Sequence, residues 1–594
     1  MRCGTSFYNG TLGKQLTARF WPLGAAYTLL LAILMPVRAL IVQPPSYAFQ
    51  QAYYTLSWAR TFFFVFVPWG TMVAGIIAAM VVCSHLYTTR SANFTAALPP
   101  RRTALFLTHY LTGLLWLVIP LLVTGLLSTA AYLAKLPDDG AQVWQTLGLG
   151  LGASVVALVL YYSLAVLCGM LTGHLLALPI FALVLNDLVL GVWYLLTQVF
   201  TTFYYGFPGS SSDIPAWVMW LTPALRLQET AVSISGGKSD PVGLAVYGVV
   251  GVLAALGAWG LYVKRPMERA GDVVAWAGLR PVFRYGVAVC SGLALGTLTH
   301  MVLTLEQLGL ALSILLWGVA GCFVAQMLLT KSVRVLRYWK GAVAVAVTFA
   351  ALFVVMALDL TGYETRVPDG EQVASVEIGQ LYSYPSDSAG YLRGAKSTDP
   401  QTIQLAIQLH QLLVDQPVDA STFDSRFEDR LQRMDLTYTL TDGTRLSRFY
   451  FVPLLERDID REGSTTYLTN QLINRPDLLL DAYRLDEVEK LEAQGYRLRS
   501  GYVEGVREEF SGSYISLSTD EARTVYLALL QDIQEGNLTR DLFQDVGWAY
   551  ITLTWEKPAD TLTSYTASSS TDSFSLSITD DAAHTLEALE GLSS

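Results

Sequence analysis

Nine stretches of this chain are apolar over about 20 residues or more, the length a helix needs to cross a hydrocarbon core about 30 Å thick. They run over 20–42, 61–86, 104–134, 145–170, 175–200, 242–263, 283–303, 308–330 and 341–360. In hydrocarbon every backbone N–H and C=O must be satisfied internally, so each stretch is expected to be an α-helix. All nine precede residue 361 of 594. The expected fold class is therefore an α-helical polytopic membrane bundle of about nine transmembrane helices, followed by an extracytoplasmic α+β domain.

Charge divides the chain at the same place. The first 360 residues hold 20 Lys+Arg against 10 Asp+Glu, and the remainder holds 19 against 39. Such a split marks two regions in two solvents. The acidic tail argues against nucleic acid as a partner, since that requires a basic surface. The five cysteines, Cys3, Cys83, Cys168, Cys290 and Cys322, all lie in the first region, so no disulfide staples the tail. The tail is long enough to bury a core without one. No cysteine pair has the CxxC spacing of a zinc or redox site.

Orientation follows from the Lys/Arg bias of the connecting loops. With the N-terminus in the cytoplasm, the inner loops hold fifteen basic residues and the outer loops four, Arg60, Lys135, Arg226 and Lys238. Arg38 is left near the outer end of the first helix, where it can snorkel. An odd number of spans then places 361–594 outside. Residues 1–19 are polar and the run after them is too long for a signal-peptide core, so the first helix is expected to be retained.

Within the spans, Asn186 and Asp187 stand out. An ionisable group at membrane depth is a candidate for a substrate path. The plainer reading is a polar pair that bonds a neighbouring helix. Gly169…Gly173 and Gly292…Gly296 have GxxxG spacing, which lets helices approach closely and indicates packing.

The loops carry more information. The first inner loop ends Leu98-Pro99-Pro100-Arg101-Arg102. Its prolines stop a helix and set an extended entry to the next. The two arginines then sit at a helix start, where the macrodipole disfavours cations. That conflict calls for a partner, either anionic lipid or an acidic protein surface. A second inner loop, Lys264-Arg265-Pro266-Met267-Glu268-Arg269-Ala270-Gly271-Asp272, is short and densely charged. The outer loop 201–241 contains Trp217 and Trp220 between Pro215 and Pro223, too short a segment to span and suited to an interfacial or re-entrant position. Residues 7–19 are expected to form a short helix on the inner membrane surface.

In this order the features resemble the ABC-2-type permeases, the membrane subunits of ATP-binding-cassette transporters. The carrying pieces are the N-terminal interfacial helix, the loop ending Leu98-Pro99-Pro100-Arg101-Arg102, the re-entrant segment between spans five and six, and Lys264-Arg265…Gly271 after span six. The opening Asn9-Gly-Thr-Leu-Gly-Lys-Gln-Leu-Thr-Ala-Arg19-Phe-Trp21-Pro22-Leu resembles a Firmicutes-type subgroup with a C-terminal extracytoplasmic domain. The likeness is best over 1–290. It implies a six-span permease core at 1–264, and the chain departs from the simplest pattern of the family by three additional spans at 265–360 and an acidic extracytoplasmic domain at 361–594. It implies a cytosolic ABC ATPase as partner, which would bind the ATP, and a second permease subunit, identical or different. Export is the direction it implies. Leu98, Pro99, Pro100, Arg101, Arg102, Lys264, Arg265, Glu268 and Gly271 would form the ATPase-coupling loops. No catalytic, cofactor or metal residue is expected in this chain.

Ser235-Gly236-Gly237-Lys238-Ser239 is like the end of a phosphate-binding loop, but the pattern needs Gly at Val232, so it reads as a turn. In the tail, Thr439–Phe451 reads as a hairpin around Asp442-Gly443. Ile403–Val414 and Asp520–Ile533 read as amphipathic helices, the second capped from Ser518. Strands are expected at Val373–Ile378, Tyr514–Leu517, Ala549–Trp555 and Ser573–Ile578, and a last helix at Asp580–Leu592. An order of strand, helix, hairpin, helix is expected twice, near 371–480 and 513–592. His410 and His584 are far apart, and no EF-hand spacing accompanies the many carboxylates. The alternative function is a ligand-sensing polytopic membrane protein. A membrane enzyme is disfavoured, because Asp187, Glu229, His300 and Glu306 are scattered rather than clustered.

Overall fold

Helix α4, Gly140–Leu171, is the most buried of the membrane-length helices, and its neighbours reach it through glycine and tyrosine. A Cβ on Gly75 would stand 2.9 Å from the backbone nitrogen of Tyr162, and one on Gly251 3.0 Å from Cα of Leu160. The Tyr162 hydroxyl donates to the carbonyl of Tyr110 at 3.0 Å. Glycine thus brings two backbones against α4, and a buried hydroxyl pairs with a third helix.

These features come from a computed structural model that describes residues 8–43, 51–97, 99–209, 214–235, 240–265, 271–379, 394–418, 430–505, 514–540, 542–543, 549–556, 571–579 and 581–593. The chain divides into two units, Met1–Val199 with Asp213–Phe353, and Phe200–Ser212 with Val354–Ser594.

Among the described residues, 9 helices are long and apolar enough to cross a membrane. They are α1 Gly10–Ile41, α2 Ser57–Leu86, α3 Arg102–Lys135, α4, α5 Ala177–Phe203, α6 Pro241–Lys264, α7 Ala277–Leu303, α8 Gln307–Thr330 and α9 Leu336–Ala357. All nine expected spans are present, and the chain is a multi-pass membrane protein. One expectation is corrected. The residues before the first span do not form a separate surface helix, because α1 runs from Gly10 through Ala32 without interruption. Its start is fixed by Asn9, whose side chain accepts from the Leu12 amide at 3.2 Å and whose amide donates to Thr108 Oγ1 at 3.0 Å. Pro22 is accommodated inside the helix, and Pro36 falls in a wider π-helical turn at Ile33–Val37.

The buried apolar cluster of this unit draws on residues from Leu31 to Tyr262. Helices α7 and α8 pack on each other through Gly292 and Gly296, where a Cβ would meet the Ile314 backbone at 3.0 and 2.7 Å. Of the other glycine pair, only Gly169 lies in a helix; Gly173 is in the turn beyond α4. Between α5 and α6, Ala216–Leu221 and Pro223–Ser235 are two short helices. Trp69 donates to Gln228 at 3.1 Å, and Tyr247 to the carbonyl of Trp220 at 3.1 Å, which ties them to α2 and α6.

The second unit contains two four-stranded antiparallel sheets of the same order. The first is β2-β1-β3-β4, with β1 Val373–Gly379, β2 Ala395–Ser397, β3 Arg430–Leu440 and β4 Arg445–Leu454. The second is β6-β5-β7-β8, with β5 Arg497–Gly505, β6 Tyr514–Leu517, β7 Ala549–Glu556 and β8 Thr571–Ile578. A helix follows the second strand of each, α10 Pro400–Asp415 and α13 Thr519–Glu535. Helices α11 Thr465–Ile473 and α12 Pro476–Ala482 follow the first sheet, and α14 Ala583–Ser593 follows the second. Each unit therefore reads strand, strand, helix, strand, strand, which differs from the order expected. The difference arises at β2, only three residues long, and at β5, whose arginines and Gly501 hide its alternation. Glycine is needed at 501 because a Cβ there would lie 2.9 Å from the Thr552 carbonyl oxygen.

Alternation orients the strands. Met434, Leu436 and Tyr438 of β3 and Ile551, Leu553 and Trp555 of β7 all face one continuous core. The Asp442-Gly443 turn joins β3 to β4, with Gly443 at φ +83°. Ser518 and Glu521 cap α13 reciprocally. His410 is fully buried on α10, stacked on Tyr438 and bonded through Nε2 to the Tyr450 hydroxyl at 2.9 Å.

Two predictions follow from this packing. Gly75→Leu and Gly251→Leu should each destabilise the bundle by about 1–3 kcal/mol through overpacking. Gly152→Leu, where a Cβ meets nothing within 4 Å, should not. Thermal unfolding of the three variants in nanodiscs checks this. Burial, with the nearby Arg448 cation, pulls His410 down to about 4. A base lowered in the folded state binds protons better when unfolded, so its contribution is complete above about pH 6.5 and is lost as pH falls toward 4, amounting to about 3 kcal/mol. Denaturant unfolding of His410→Gln should show a correspondingly weaker acid dependence than the natural chain.

Candidate functional site: a loop cluster at one end of the bundle

Arg102 opens α3, and Arg101 before it, as the N-cap, is extended. A cation at a helix start is disfavoured by its own dipole. Here the guanidinium of Arg102 reaches another helix and donates to the carbonyls of Val263 at 2.9 Å and Arg265 at 3.4 Å. These belong to the C-terminal end of α6, the negative pole of that helix. The conflict noted in the sequence is thus resolved within the chain for Arg102. Pro99, Arg101 and Lys264 are exposed, as is Arg102 despite these bonds.

Arg265 is 2% exposed and performs the same service for α4. Its two terminal nitrogens donate to the carbonyls of Gly169 and Thr172, each at 2.7 Å. Those carbonyls lie at the end of α4, where no intrahelical donor remains. Burial lowers the pKa of this guanidinium from its ordinary value, and the neighbouring Tyr87, whose ring centre lies 6.0 Å away, opposes that shift. The other groups at this helix end are also met. Tyr87 donates to Gly169 at 3.3 Å and the Ala275 amide to Leu171 at 2.9 Å.

The chain after residue 270 returns along the same turn. The Gly271 amide donates to Gly173 and the Gly173 amide to Asp272, both at 2.8 Å, and Thr172 Oγ1 donates to Val273 at 2.7 Å. Gly271 stands at φ +89°, which favours glycine. Asp272 then pairs with Lys331 at 2.8 Å and Arg280 at 3.6 Å. Arg284 donates to the carbonyl of Tyr338 at 2.8 Å. The connections α2–α3, α4–α5, α6–α7 and α8–α9 therefore gather at one end of this unit. Lys135 joins the other set, donating to the carbonyl of Leu40 at 2.7 Å.

Of the residues singled out in the sequence, Pro99, Pro100, Arg101, Arg102, Lys264, Arg265 and Gly271 fall in this cluster. Leu98, Glu268 and the remainder of 266–270 lie outside the described residues, as do 236–239 of the glycine-rich turn. The Thr172–Gly173 turn and Asp272 complete the cluster and were not singled out as site residues. An acid in a basic loop was the available signal for Asp272. Asn186 and Asp187 are elsewhere, within α5. Asn186 is 1% exposed, and its amide donates to the carbonyl of Ala182 at 2.7 Å, on its own helix rather than a neighbour. Its carbonyl oxygen is buried without a partner among the described residues. Asp187 beside it is part-exposed. Among the described residues no group of three or more His, Cys, Asp or Glu is placed to hold a metal ion.

The chain is similar to the protein named "Probable ABC transporter permease YtrD" of Bacillus subtilis (strain 168), with 26% identity over 230 residues. The similarity covers 37% of this chain and 65% of that protein, just under two thirds of its length. No family model and no solved structure matches the chain.

Arg265→Met should destabilise the protein by about 1.5–3 kcal/mol for each carbonyl left without its charged donor. Arg101→Glu should leave the unfolding temperature unchanged, because that side chain is exposed. Thermal unfolding of both variants in the same nanodisc lipid distinguishes a buried clamp from a free contact residue.

Proposed function

We propose that this chain is the permease subunit of an ATP-binding-cassette exporter, driven by a separate cytosolic ATPase. The observation that carries the reading is the convergence of four loops into one cluster that leaves Arg101 exposed. The likeness to the Bacillus protein supports it. In this reading the cluster faces the cytoplasm, as the fifteen basic residues of the inner loops favour, and the C-terminal domain lies outside. Arg101 and Lys264 meet the ATPase, while Arg102 and Arg265 hold the helix ends on which the contact is mounted. Because Arg265 binds the end of α4 and Arg102 the end of α6, force on either loop reaches the helix at the centre of the bundle. A second permease subunit completes the substrate path, for which Asn186 and Asp187 on α5 are the candidates.

The test is capture of a P-loop ATPase with the tagged, gently solubilised chain. Arg101→Glu should reduce capture at least tenfold without lowering the unfolding temperature. Arg102→Glu is not equivalent, since it also removes the bond to α6. Capture that is insensitive to Arg101 would move the contact elsewhere. Absence of any ATPase under several mild conditions would overturn the transporter reading in favour of the ligand-sensing one.

A further inference from the structure

Strand β4 is an edge strand, and edge strands present unpaired amides that invite a partner. Here the Phe449 amide donates to the carbonyl of Gly206 at 3.1 Å, three residues past the end of α5. The fit is close. Gly206 stands at φ +76°, and a Cβ on it would meet the Tyr450 ring at 2.6 Å. The ring of Tyr205 packs on Tyr450 at 5.3 Å, and its hydroxyl accepts from the Val418 amide at 3.2 Å.

The adjacent residue of β4 holds a different piece of chain. Arg448 is 1% exposed, and among the described residues no carboxylate pairs with it. It donates instead to the carbonyls of Tyr363 at 2.9 Å and Arg366 at 3.5 Å, and lies 4.0 Å from the centre of the Tyr363 ring. A buried cation held by carbonyls, a π face and the Tyr363 and Tyr450 side chains is costly unless those partners stay in place. Tyr363 belongs to the segment that leaves α9. That segment is itself tightened by Asp359, whose carboxylate accepts from the Tyr363 and Glu364 amides at 2.8 and 3.0 Å.

The two segments also meet directly. The Tyr205 amide donates to Glu364 at 2.7 Å, and the Tyr363 ring packs on Tyr204 at 5.1 Å and Phe207 at 5.7 Å. We propose that residues 448–450 of β4 form a joint that locks the segment 204–207, just past α5, to the segment 361–366, just past α9. The two segments then respond as one, and a displacement of either is carried through β4 to the other. The joint itself does not depend on the transporter reading; only its use in a transport cycle rests on it.

Hydrogen exchange of the full chain in nanodiscs tests the joint. Arg448→Met should speed exchange at least tenfold at 363–366, which it touches, and also at Tyr205, which it does not. Gly206→Ala should do the same at Phe449 and at 363–366. Protection of Ile551 and Leu553 in β7 should persist in both, which separates release of the joint from unfolding of the domain. Should Arg448→Met also unprotect β7, Gly206→Ala decides, since that residue lies outside both sheets. Effects confined to the segment each residue touches would overturn the proposal. A second arm adds the captured ATPase and ATP. Exchange at 204–207 and 361–366 should change together in the natural chain and separately in Gly206→Ala. Independent responses in the natural chain would refute a joint response of the two segments in the transport cycle while leaving the first arm to judge the joint, whether or not an ATPase is found.

Discussion

The guanidinium of Arg265 is the contact on which the order of the bundle rests. A helix ends with carbonyls that have no donor of their own. At the end of α4, the most buried helix, water does not reach them freely. Arg265 supplies two charged donors from the chain that has just left α6. Its own carbonyl is then taken by Arg102 at the start of α3. One residue thus links three helix ends, and the loop cluster is an outcome of satisfying backbone groups before it is a surface for anything else.

The nine spans were legible because hydrocarbon admits so few solutions for an apolar run of that length. Their ends were less so. The first was read ten residues short, since polar residues between Gly10 and Arg19 suggested a separate helix, whereas Asn9 caps a single continuous one. In the C-terminal domain, strands with clean alternation such as Ala549–Glu556 were legible, and so was the Asp442-Gly443 turn. Strand β5 was not, because its glycine and arginines are placed for contacts across the sheet and with its neighbours, which a local pattern does not encode.

At the candidate site, the sequence treats neighbouring arginines as one group, and the structure gives them different partners. Arg101 and Arg102 look alike as neighbours at a helix start. Both are exposed, but Arg102 is also bonded to the end of α6. Spacing cannot make that distinction, because the acceptors of Arg102 lie more than 160 residues away. Asn186 taught a related lesson: a polar residue at membrane depth signals something, but its partner proved to be its own helix.

The two sheets of the C-terminal domain share one strand order and one helix position. In the first, the last strand receives the chain leaving α5 on its open edge. The corresponding strand of the second is β8. Two sheets of like order thus carry unlike loads: a substitution in β4 must suit the segment it grips as well as its own sheet, a demand that the shared strand order by itself does not impose.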